Sequence, residues 1–307
     1  MGIFGLGKKS SVKRTPPAVA NRLKNILGLR ELESMPAQAA RAFQLASDPK
    51  ARSSDFVEVI ESDEALSSRV IRIANSVYFF RGTTATDIEK AVANIGLDEL
   101  RCLLSATMLR GMLQSKHKIR TQIWANSVSV AIGSRILASY TSEVSDSAAF
   151  LCGLVHDIGK LIIIRRNGSL YEKAVALASS GELSFVEAEE ETFETNHVEV
   201  GQWVAEQWSF PEVTKLAIVG HHKPWPTDPE HSGRHTSAAM IVRAADTMSH
   251  ALGIGHPMGL KGFQQAAQEQ LPNIYKMLGI QAETGESLLS NFKRQFDQES
   301  SLYDSQA

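Results

Sequence analysis

The dipeptide His156-Asp157 is the strongest candidate for chemistry in this sequence of 307 residues. It follows the apolar segment 151–155 and precedes Ile158-Gly159-Lys160. An imidazole and a carboxylate at the end of a helix can turn toward one metal ion, and the carboxylate can also bridge two ions. Because a lone His-Asp pair is more often a local hydrogen bond, the interpretation needs support from elsewhere in the chain.

Other imidazole and carboxylate side chains provide that support. His197 begins a predicted helix, and His221-His222 ends another. Asp246 lies among small and apolar residues, where an ionised carboxylate costs several kcal/mol unless it is paired or bound to metal. Imidazole and carboxylate ligands together suit Fe, Mn, Zn or Ni better than Ca. The predicted ligands of one divalent metal site are therefore His156, Asp157, His197, His221, His222 and Asp246.

These residues also have explanations that need no metal. Asp246 could cap a helix or form a salt bridge in the core. His221-His222 could complement the negative end of the preceding helix. His197 could merely follow a helix cap, with Asn196 as the cap and Glu199 as its partner. Spacing along the chain does not decide between these alternatives.

The elements that would position these residues have the pattern of α-helices. Thr86-Asp87-Ile88-Glu89 and Ser184-Phe185-Val186-Glu187 are capping boxes at predicted helix starts, and Asp63 is a further candidate cap. No stretch shows convincing apolar–polar alternation, although residues 161–164 could form a strand or continue a helix. The sequence therefore predicts an all-α fold.

Composition and charge bear on whether the protein binds nucleic acid or lipid and on where in the cell it is found. Lys and Arg total 32 against 34 for Asp and Glu, so the net charge of -2 gives no overall attraction to nucleic acid or anionic lipid. Cys102 and Cys152 lie in apolar runs and are predicted to be buried free thiols, as expected in a reducing cytosol. No apolar run is long enough to span a bilayer, and no signal peptide is recognisable. We therefore expect a cytoplasmic protein without a membrane span.

The first 30 residues differ from the rest in charge. They contain seven basic residues and no acidic one, and glycines and prolines interrupt them. This composition predicts a basic, partly disordered tail, with a weak contact to a membrane surface or a partner as the alternative. Because no aromatic residue beyond Phe4 is interleaved with the charges, we do not expect the tail to bind nucleic acid.

The segment 154–161, Leu-Val-His-Asp-Ile-Gly-Lys-Leu, resembles the His-Asp-x-Gly-Lys-Leu core of the HD superfamily. The chain as a whole resembles the HDOD family from about residue 32 to residue 252. The segments that carry this likeness, in the family's order, are Ser47-Asp48-Pro49, 60–66, 73–78, 91–96 and 124–130.

The resemblance implies an all-α HDOD fold, in which an N-terminal helical subdomain packs on an HD-like helical core. The implied divisions are a tail over 1–30, an HDOD domain over 31–257 with parts 31–120 and 121–257, and a C-terminal helical tail over 258–307.

The related HD-GYP phosphodiesterases imply roles for the same side chains. Their ligand order matches the six predicted metal ligands, and Lys160 matches a lysine thought to meet a phosphate or a bridging water. Asp157 and Lys160 would then be the catalytic residues of an active enzyme. The sequence departs from the HD-GYP pattern at two places. Asn126 stands where that pattern has its first histidine. After His221-His222, the sequence has Lys223-Pro224-Trp225-Pro226 in place of the group's Glu and Gly-Tyr-Pro. Hydrolysis of cyclic di-GMP is therefore not expected.

Two functional hypotheses follow. The first is a bacterial signal-transduction or regulatory protein that binds a protein partner, or a small ligand such as a nucleotide or phosphate, with a structural or vestigial metal. The second is a metal-dependent phosphohydrolase or phosphodiesterase, in which the metal would activate a water and polarise a phosphoryl oxygen. The amide at Asn126 favours the first hypothesis, and the retention of the other ligand positions favours the second.

Overall fold

The structure, a computed structural model, describes residues 11–48, 50–140, 144–224, 234–255 and 261–304. Residues 1–10 of the predicted tail, Pro49 and Trp225-Pro226 lie outside the described residues. Within the described ranges the chain forms fifteen α-helices and no strand, which confirms the all-α prediction.

The helices follow one another along the whole described chain, with short connections between most of them. They are α1 (Pro17–Ile26), α2 (Ala37–Ser47), α3 (Ser53–Glu61), α4 (Glu64–Ala74), α5 (Ile88–Ile95), α6 (Leu97–Met112), α7 (Ile119–Ala138), α8 (Asp146–Val155), α9 (Ile158–Ser179), α10 (Phe185–Phe193), α11 (His197–Gln207), α12 (Glu212–Gly220), α13 (Arg234–Ala251), α14 (Lys261–Met277) and α15 (Ala282–Asp304).

Side-chain caps fix several of the helix starts. Asp63 accepts a hydrogen bond from the Leu66 amide at the start of α4, as predicted. Ser184 and Glu187 form the predicted capping box of α10. The box predicted at Thr86 is wrong by one residue, because Asp87 is the N-cap of α5 and its carboxylate accepts from the Lys90 amide at 2.9 Å.

The long helix α7 lies at the centre of the fold and packs against α8, α9, α13 and α15. Two glycines let neighbouring backbones approach closely. A Cβ at Gly153 of α8 would lie 2.6 Å from the Val130 carbonyl oxygen of α7. A Cβ at Gly159 of α9 would lie only 2.0 Å from the His197 carbonyl oxygen at the start of α11. These approaches set the positions of the helix ends that carry the candidate site.

Residues 161–164 belong to α9, so the strand alternative for them is wrong. All four side chains are buried in the core. The described stretch 146–179 is apolar and long enough to cross a membrane, but 89% of its most apolar window is buried inside the fold. That burial is the pattern of a core helix. Cys102 and Cys152 are buried free thiols, as predicted.

Part of the basic N-terminal segment is bound to the domain surface. The backbone amides of Val12 and Thr15 donate to Glu212 and Glu206, respectively. In α1, the Arg22 guanidinium forms an ion pair with Glu199 at 2.8 Å. Residues 11–26 therefore run along α11 and reach the start of α12.

The C-terminal helices also contribute to the core. The helix α15 packs against α6, α7 and α14, and its side chains Leu288, Phe292 and Tyr303 are almost completely buried. The C-terminal segment predicted as a helical tail thus contains a helix that covers the central part of the fold.

Candidate metal centre

The six predicted ligands lie together at a set of helix ends. His156 follows α8, and Asp157 immediately precedes α9. His197 is the first residue of α11, His221-His222 follows α12, and Asp246 projects from α13. Because one end of each of four helices converges here, ligands up to ninety positions apart in sequence become neighbours.

Asp157 is the centre of the cluster. Its Oδ1 lies 3.3 Å from Nε2 of His197 and 3.6 Å from Nε2 of His221. Its Oδ2 lies 3.4 Å from Nε2 of His156 and accepts a hydrogen bond from the Lys160 ammonium at 2.6 Å. The two carboxylate oxygens therefore face different groups of side chains.

Three of the histidines are oriented by hydrogen bonds from their Nδ1 atoms. His156 Nδ1 lies 2.7 Å from the Gly153 carbonyl oxygen, and His221 Nδ1 lies 2.8 Å from the Ile218 carbonyl oxygen. His197 Nδ1 lies 2.6 Å from a Glu189 carboxylate oxygen. Because these oxygens can only accept, each Nδ1 carries the proton, and the Nε2 lone pairs of His156 and His221 face Asp157. Nε2 of His197 lies 2.9 Å from Nε2 of His222, from which it accepts a hydrogen bond. Second-shell hydrogen bonds orient metal-binding histidines in this way.

Several buried polar atoms at the centre have no hydrogen-bond partner. They are Nε2 of His156, Nε2 of His221 and Oδ1 of Asp157. A buried polar atom without a partner costs about 1–3 kcal/mol, and such atoms are uncommon in folded proteins. All three are lone-pair donors directed at one small region, so the side chains present fit a bound cation.

The cluster divides into two halves that share Asp157. We call the first the histidine half: it comprises Asp157, His197, His221 and His222, whose ligand atoms lie within 4.8 Å of one another. We call the second the Asp246 half: it comprises Asp157, His156 and Asp246, whose Oδ1 lies 3.8 Å from Nε2 of His156.

Asn126 lies at the edge of the Asp246 half. Its side-chain amide donates to Oδ1 of Asp246 and to Oγ of Ser249, both at 3.3 Å. His250 also contacts Oδ1 of Asp246, at 3.2 Å. Gly255 has a positive φ of 73°, and a Cβ there would lie 2.4 Å from the Asn126 Cβ. The Asp246 half is therefore lined by hydrogen-bond donors and closely packed against the backbone at Gly255.

The charges around the carboxylates favour their ionised forms. Burial opposes ionisation of Asp157, but the charge of Lys160 and the contact with His156 outweigh it and hold its pKa well below the usual value. For Asp246, burial likewise acts against ionisation, and His250 lowers the pKa well below the usual value. Burial lowers the Lys160 pKa, but Asp157 more than compensates and raises it. Both carboxylates are thus ionised at neutral pH.

His221 and His222 of the histidine half favour the neutral imidazole that binds metals. Burial is the main reason that the pKa of His221 is lowered. His222 keeps an exposed edge, yet loss of water around its ring and the proximity of His221 hold its pKa well below the usual value. His156 differs, because Asp157 and Asp246 outweigh the effect of burial and raise its pKa.

Glu189, which the sequence did not identify, is part of the site. It is fully buried and accepts from the His197 backbone amide at 2.7 Å and the Tyr171 hydroxyl at 2.6 Å, besides its contact with the His197 ring. Interaction with His197 holds its pKa below the usual value although burial acts in the opposite direction. In sequence, Glu189 is one of three consecutive glutamates, which is typical of a solvated helix face.

Asn196 and His250 are two further polar residues close to the predicted ligands. The Asn196 side chain accepts from the Glu199 amide and caps α11, so the proposed cap coexists with the placement of His197 in the cluster. His250 is not among the six predicted ligands but contacts Asp246. Its spacing of four residues from Asp246 on one helix was the available signal.

We expect Glu189→Gln to weaken metal binding about 10- to 100-fold, because the neutral amide no longer fixes the protonated Nδ1 of His197. Competition against a chromophoric chelator measures the affinity. Glu191→Gln is the matched control, since Glu191 is exposed and only two positions away. Equal affinities of the Glu189→Gln protein and the wild type would contradict the orienting role.

The chain is similar to known proteins in both sequence and structure. The family model described as HDOD domain matches residues 32–224. An uncharacterized protein of Treponema pallidum (strain Nichols) is 25% identical over 195 residues, which cover 62% of this chain. The matched region is 38% of that relative, so the chain spans well under half the length of the curated protein.

Three solved structures have a similar fold. An HDOD domain protein from Geobacter sulfurreducens superposes with a TM-score of 0.72 at 23% identity, over 93% of this chain and 96% of that one. A candidate signal transduction protein from Marinobacter aquaeolei VT8 superposes with a TM-score of 0.75 at 20% identity, over 94% of this chain and 66% of that one. A candidate phosphohydrolase from Shewanella amazonensis SB2B superposes with a TM-score of 0.67 at 21% identity, over 92% of this chain and 97% of that one. At these identities the likeness establishes the fold.

Proposed function

Since the chain belongs to the HDOD domain family, we propose that it is a regulatory protein of bacterial signal transduction, which binds a partner protein and keeps one metal position of an HD-type centre. The observation that carries the proposal is the difference between the two halves of the cluster. The histidine half gathers four ligands, and hydrogen bonds orient the rings of His197 and His221, whereas hydrogen-bond donors line the Asp246 half.

The histidine half supplies three imidazoles and one carboxylate, a donor set that suits Zn, Fe, Mn or Ni. Glu189 fixes the ring of His197, and the Ile218 carbonyl fixes the ring of His221. The exposed edge of His222 gives this half a side that faces solvent. An ion could therefore enter without rearrangement of the core.

The Asp246 half is a poor second position. Asn126 directs its NH2 group, not a lone pair, at Asp246. The Lys160 ammonium already neutralises Oδ2 of Asp157, the carboxylate oxygen that a second ion would need. With one position lost, the metal would be structural, and regulation would depend on the helical surface.

Elemental analysis of protein purified without added metal tests this proposal. We expect about one transition-metal ion per chain, because Asn126 and Lys160 already donate to the carboxylate oxygens of the Asp246 half. His222→Ala should remove the metal with little effect on folding, because the side chain is partly exposed. His250→Ala, at a residue that contacts Asp246 in the other half, is the matched control and should retain the metal. Two ions per chain, or none, would contradict the single position.

Metal-dependent phosphohydrolysis is the second candidate function, and the buried Lys160–Asp157 pair beside the histidine half supports it. A bound divalent metal would lower the pKa of a water and polarise a phosphoryl oxygen. Asp157 would orient the attacking group, and Lys160 would neutralise part of the phosphate charge.

Turnover of bis-p-nitrophenyl phosphate by the metal-loaded protein distinguishes the two functions. Hydrolysis that is lost in Asp157→Ala, with an unchanged circular dichroism spectrum, would support the enzyme. An inactive wild type that contains its full complement of metal would end this candidate and leave the regulatory proposal standing. Partner binding by a metal-free, folded preparation would support regulation directly.

A further inference from the structure

A group of apolar side chains stands in solvent near the start of α8, which is the end of that helix away from the metal cluster. Val77 is fully exposed, and Tyr78, Phe80 and Tyr140 expose 42–49% of their surface. The loop between α4 and α5 that carries the first three is held in place, because the Asn75 side chain exchanges hydrogen bonds with the Ala85 backbone at 2.8 and 2.9 Å. An ordered loop that presents apolar side chains is typical of a contact site.

The two tyrosines line a cavity of about 590 Å³. At its floor, Arg135 lies between the carboxylates of Glu99 and Glu299, and the Tyr78 hydroxyl donates to Glu299 at 2.7 Å. One guanidinium thus faces two carboxylates. Burial raises the pKa of Glu99, and the charge of Glu299 raises it further, whereas Arg135 lowers it.

Two more charges lie at the rim of the cavity. Asp146 adds a third carboxylate, and the Arg294 guanidinium, which contacts Asn291, adds a second positive charge. The lining as a whole therefore has one more carboxylate than guanidinium groups. A basic segment with apolar side chains complements both this charge and the exposed apolar group.

The N-terminal segment leaves the described structure at the same end. The helices α8 and α12 pack together and both run toward the metal cluster, so their first residues, Asp146 and Glu212, lie at the far end. The Val12 amide is bound to Glu212. Thr214 and Cys152 are 3.9 Å apart between the two helices, and Asp146 is about 9 Å from Cys152 along α8 at ~1.5 Å per residue.

Residues 1–10 have the complementary composition and sufficient length. They contain Ile3, Phe4 and Leu6, followed by Lys8 and Lys9, and no acidic residue. A ten-residue segment can extend about 33 Å, at ~3.3 Å per residue. The lysines, close to Val12, would meet the carboxylates first, and the apolar residues would reach farther.

We propose that residues 1–10 dock in the same chain over this cavity, with Lys8 and Lys9 against Asp146 and Glu99, and Ile3 and Phe4 against the exposed apolar group of Val77, Tyr78, Phe80 and Tyr140. The contact does not depend on the metal or on the proposed regulatory function.

Zero-length carbodiimide cross-linking of the full-length protein tests this docking, because it joins lysine amines to carboxylates in direct contact. We expect peptides that link Lys8 or Lys9 to Asp146 or Glu99. The exposed pair Lys293–Asp297, at 2.5 Å, is an internal control for the reaction. Absence of the Lys8 and Lys9 links while the control link forms would overturn the proposal.

Two further measurements separate docking from chance proximity. Val77→Ser combined with Phe80→Ser, both at exposed positions, should reduce the yield of the Lys8 and Lys9 links roughly fivefold or more, as expected when apolar anchors are removed. An unchanged yield would overturn the apolar contact. A mixture of 14N- and 15N-labelled protein identifies the copy involved. Light–heavy links would show docking between chains and overturn docking within one chain.

Discussion

Asp157→Asn is expected to reduce the metal content of the purified protein at least about tenfold and to destabilise the metal-free protein by about 3 kcal/mol. The substitution removes the charge that both halves of the cluster share and leaves the Lys160 ammonium buried without its partner, since Lys160 Nζ lies 2.6 Å from Asp157 Oδ2 and the two side chains are only 9% and 3% exposed. Elemental analysis measures the metal, and urea unfolding in the presence of a chelator measures the free energy.

Asp297→Asn is the matched control for this experiment. Asp297 also pairs with a lysine, but its side chain is 54% exposed. Exposed pairs contribute little, so the free energy of unfolding should change by less than about 0.5 kcal/mol and the metal content should not change. Asp157→Asn protein that behaves like the Asp297→Asn control would show that Asp157 is not the centre of the site.

Gly159→Ala is expected to destabilise the protein by about 3 kcal/mol and to weaken metal binding at the same time. The added Cβ would lie 2.0 Å from the His197 carbonyl oxygen and 2.9 Å from the Gly201 backbone nitrogen. Backbone atoms cannot rotate away, so α11 must shift as a whole and carry His197 away from Asp157. Thermal unfolding and chelator competition measure the two effects.

Gly111→Ala, in α6, is expected to change stability in the opposite direction to Gly159→Ala. Nothing lies within 4 Å of a Cβ at Gly111, which is helical and exposed. Alanine is the better helix former by about 0.5–1 kcal/mol, so this variant should be slightly more stable than the wild type. Equal stabilities of the two variants would mean that α9 and α11 can separate at little cost.

The sequence predicts the fold and the composition of the cluster well because both depend on local patterns. Helical periodicity and caps such as Asp63 and Ser184 establish an all-α chain without reference to tertiary contacts. His156, His197 and His221 each lie at a helix end, and helix ends are recognisable in sequence. The family resemblance then indicates that these ends meet, and the match over residues 32–224 confirms the family.

The difference between the two halves could not be predicted, because it depends on contacts between distant segments. Asn126 was recognised as a departure, but its hydrogen bond to Asp246 joins residues 120 positions apart. Its close packing against Gly255 likewise depends on how α13 ends. Glu189 is indistinguishable from its neighbours Glu190 and Glu191 until the fold buries it beside His197.

The polar strap formed by residues 11–26 has a practical consequence for work on this protein. It binds Glu199, Glu206 and Glu212, and two of these lie on α11, the helix that begins with His197. A gene fragment cut at the borders of the family match, residues 32–224, would lack this strap, Asp246 and the buried Phe292. The packed unit is therefore larger than the region by which the family is recognised, because both flanking segments contribute contacts to it.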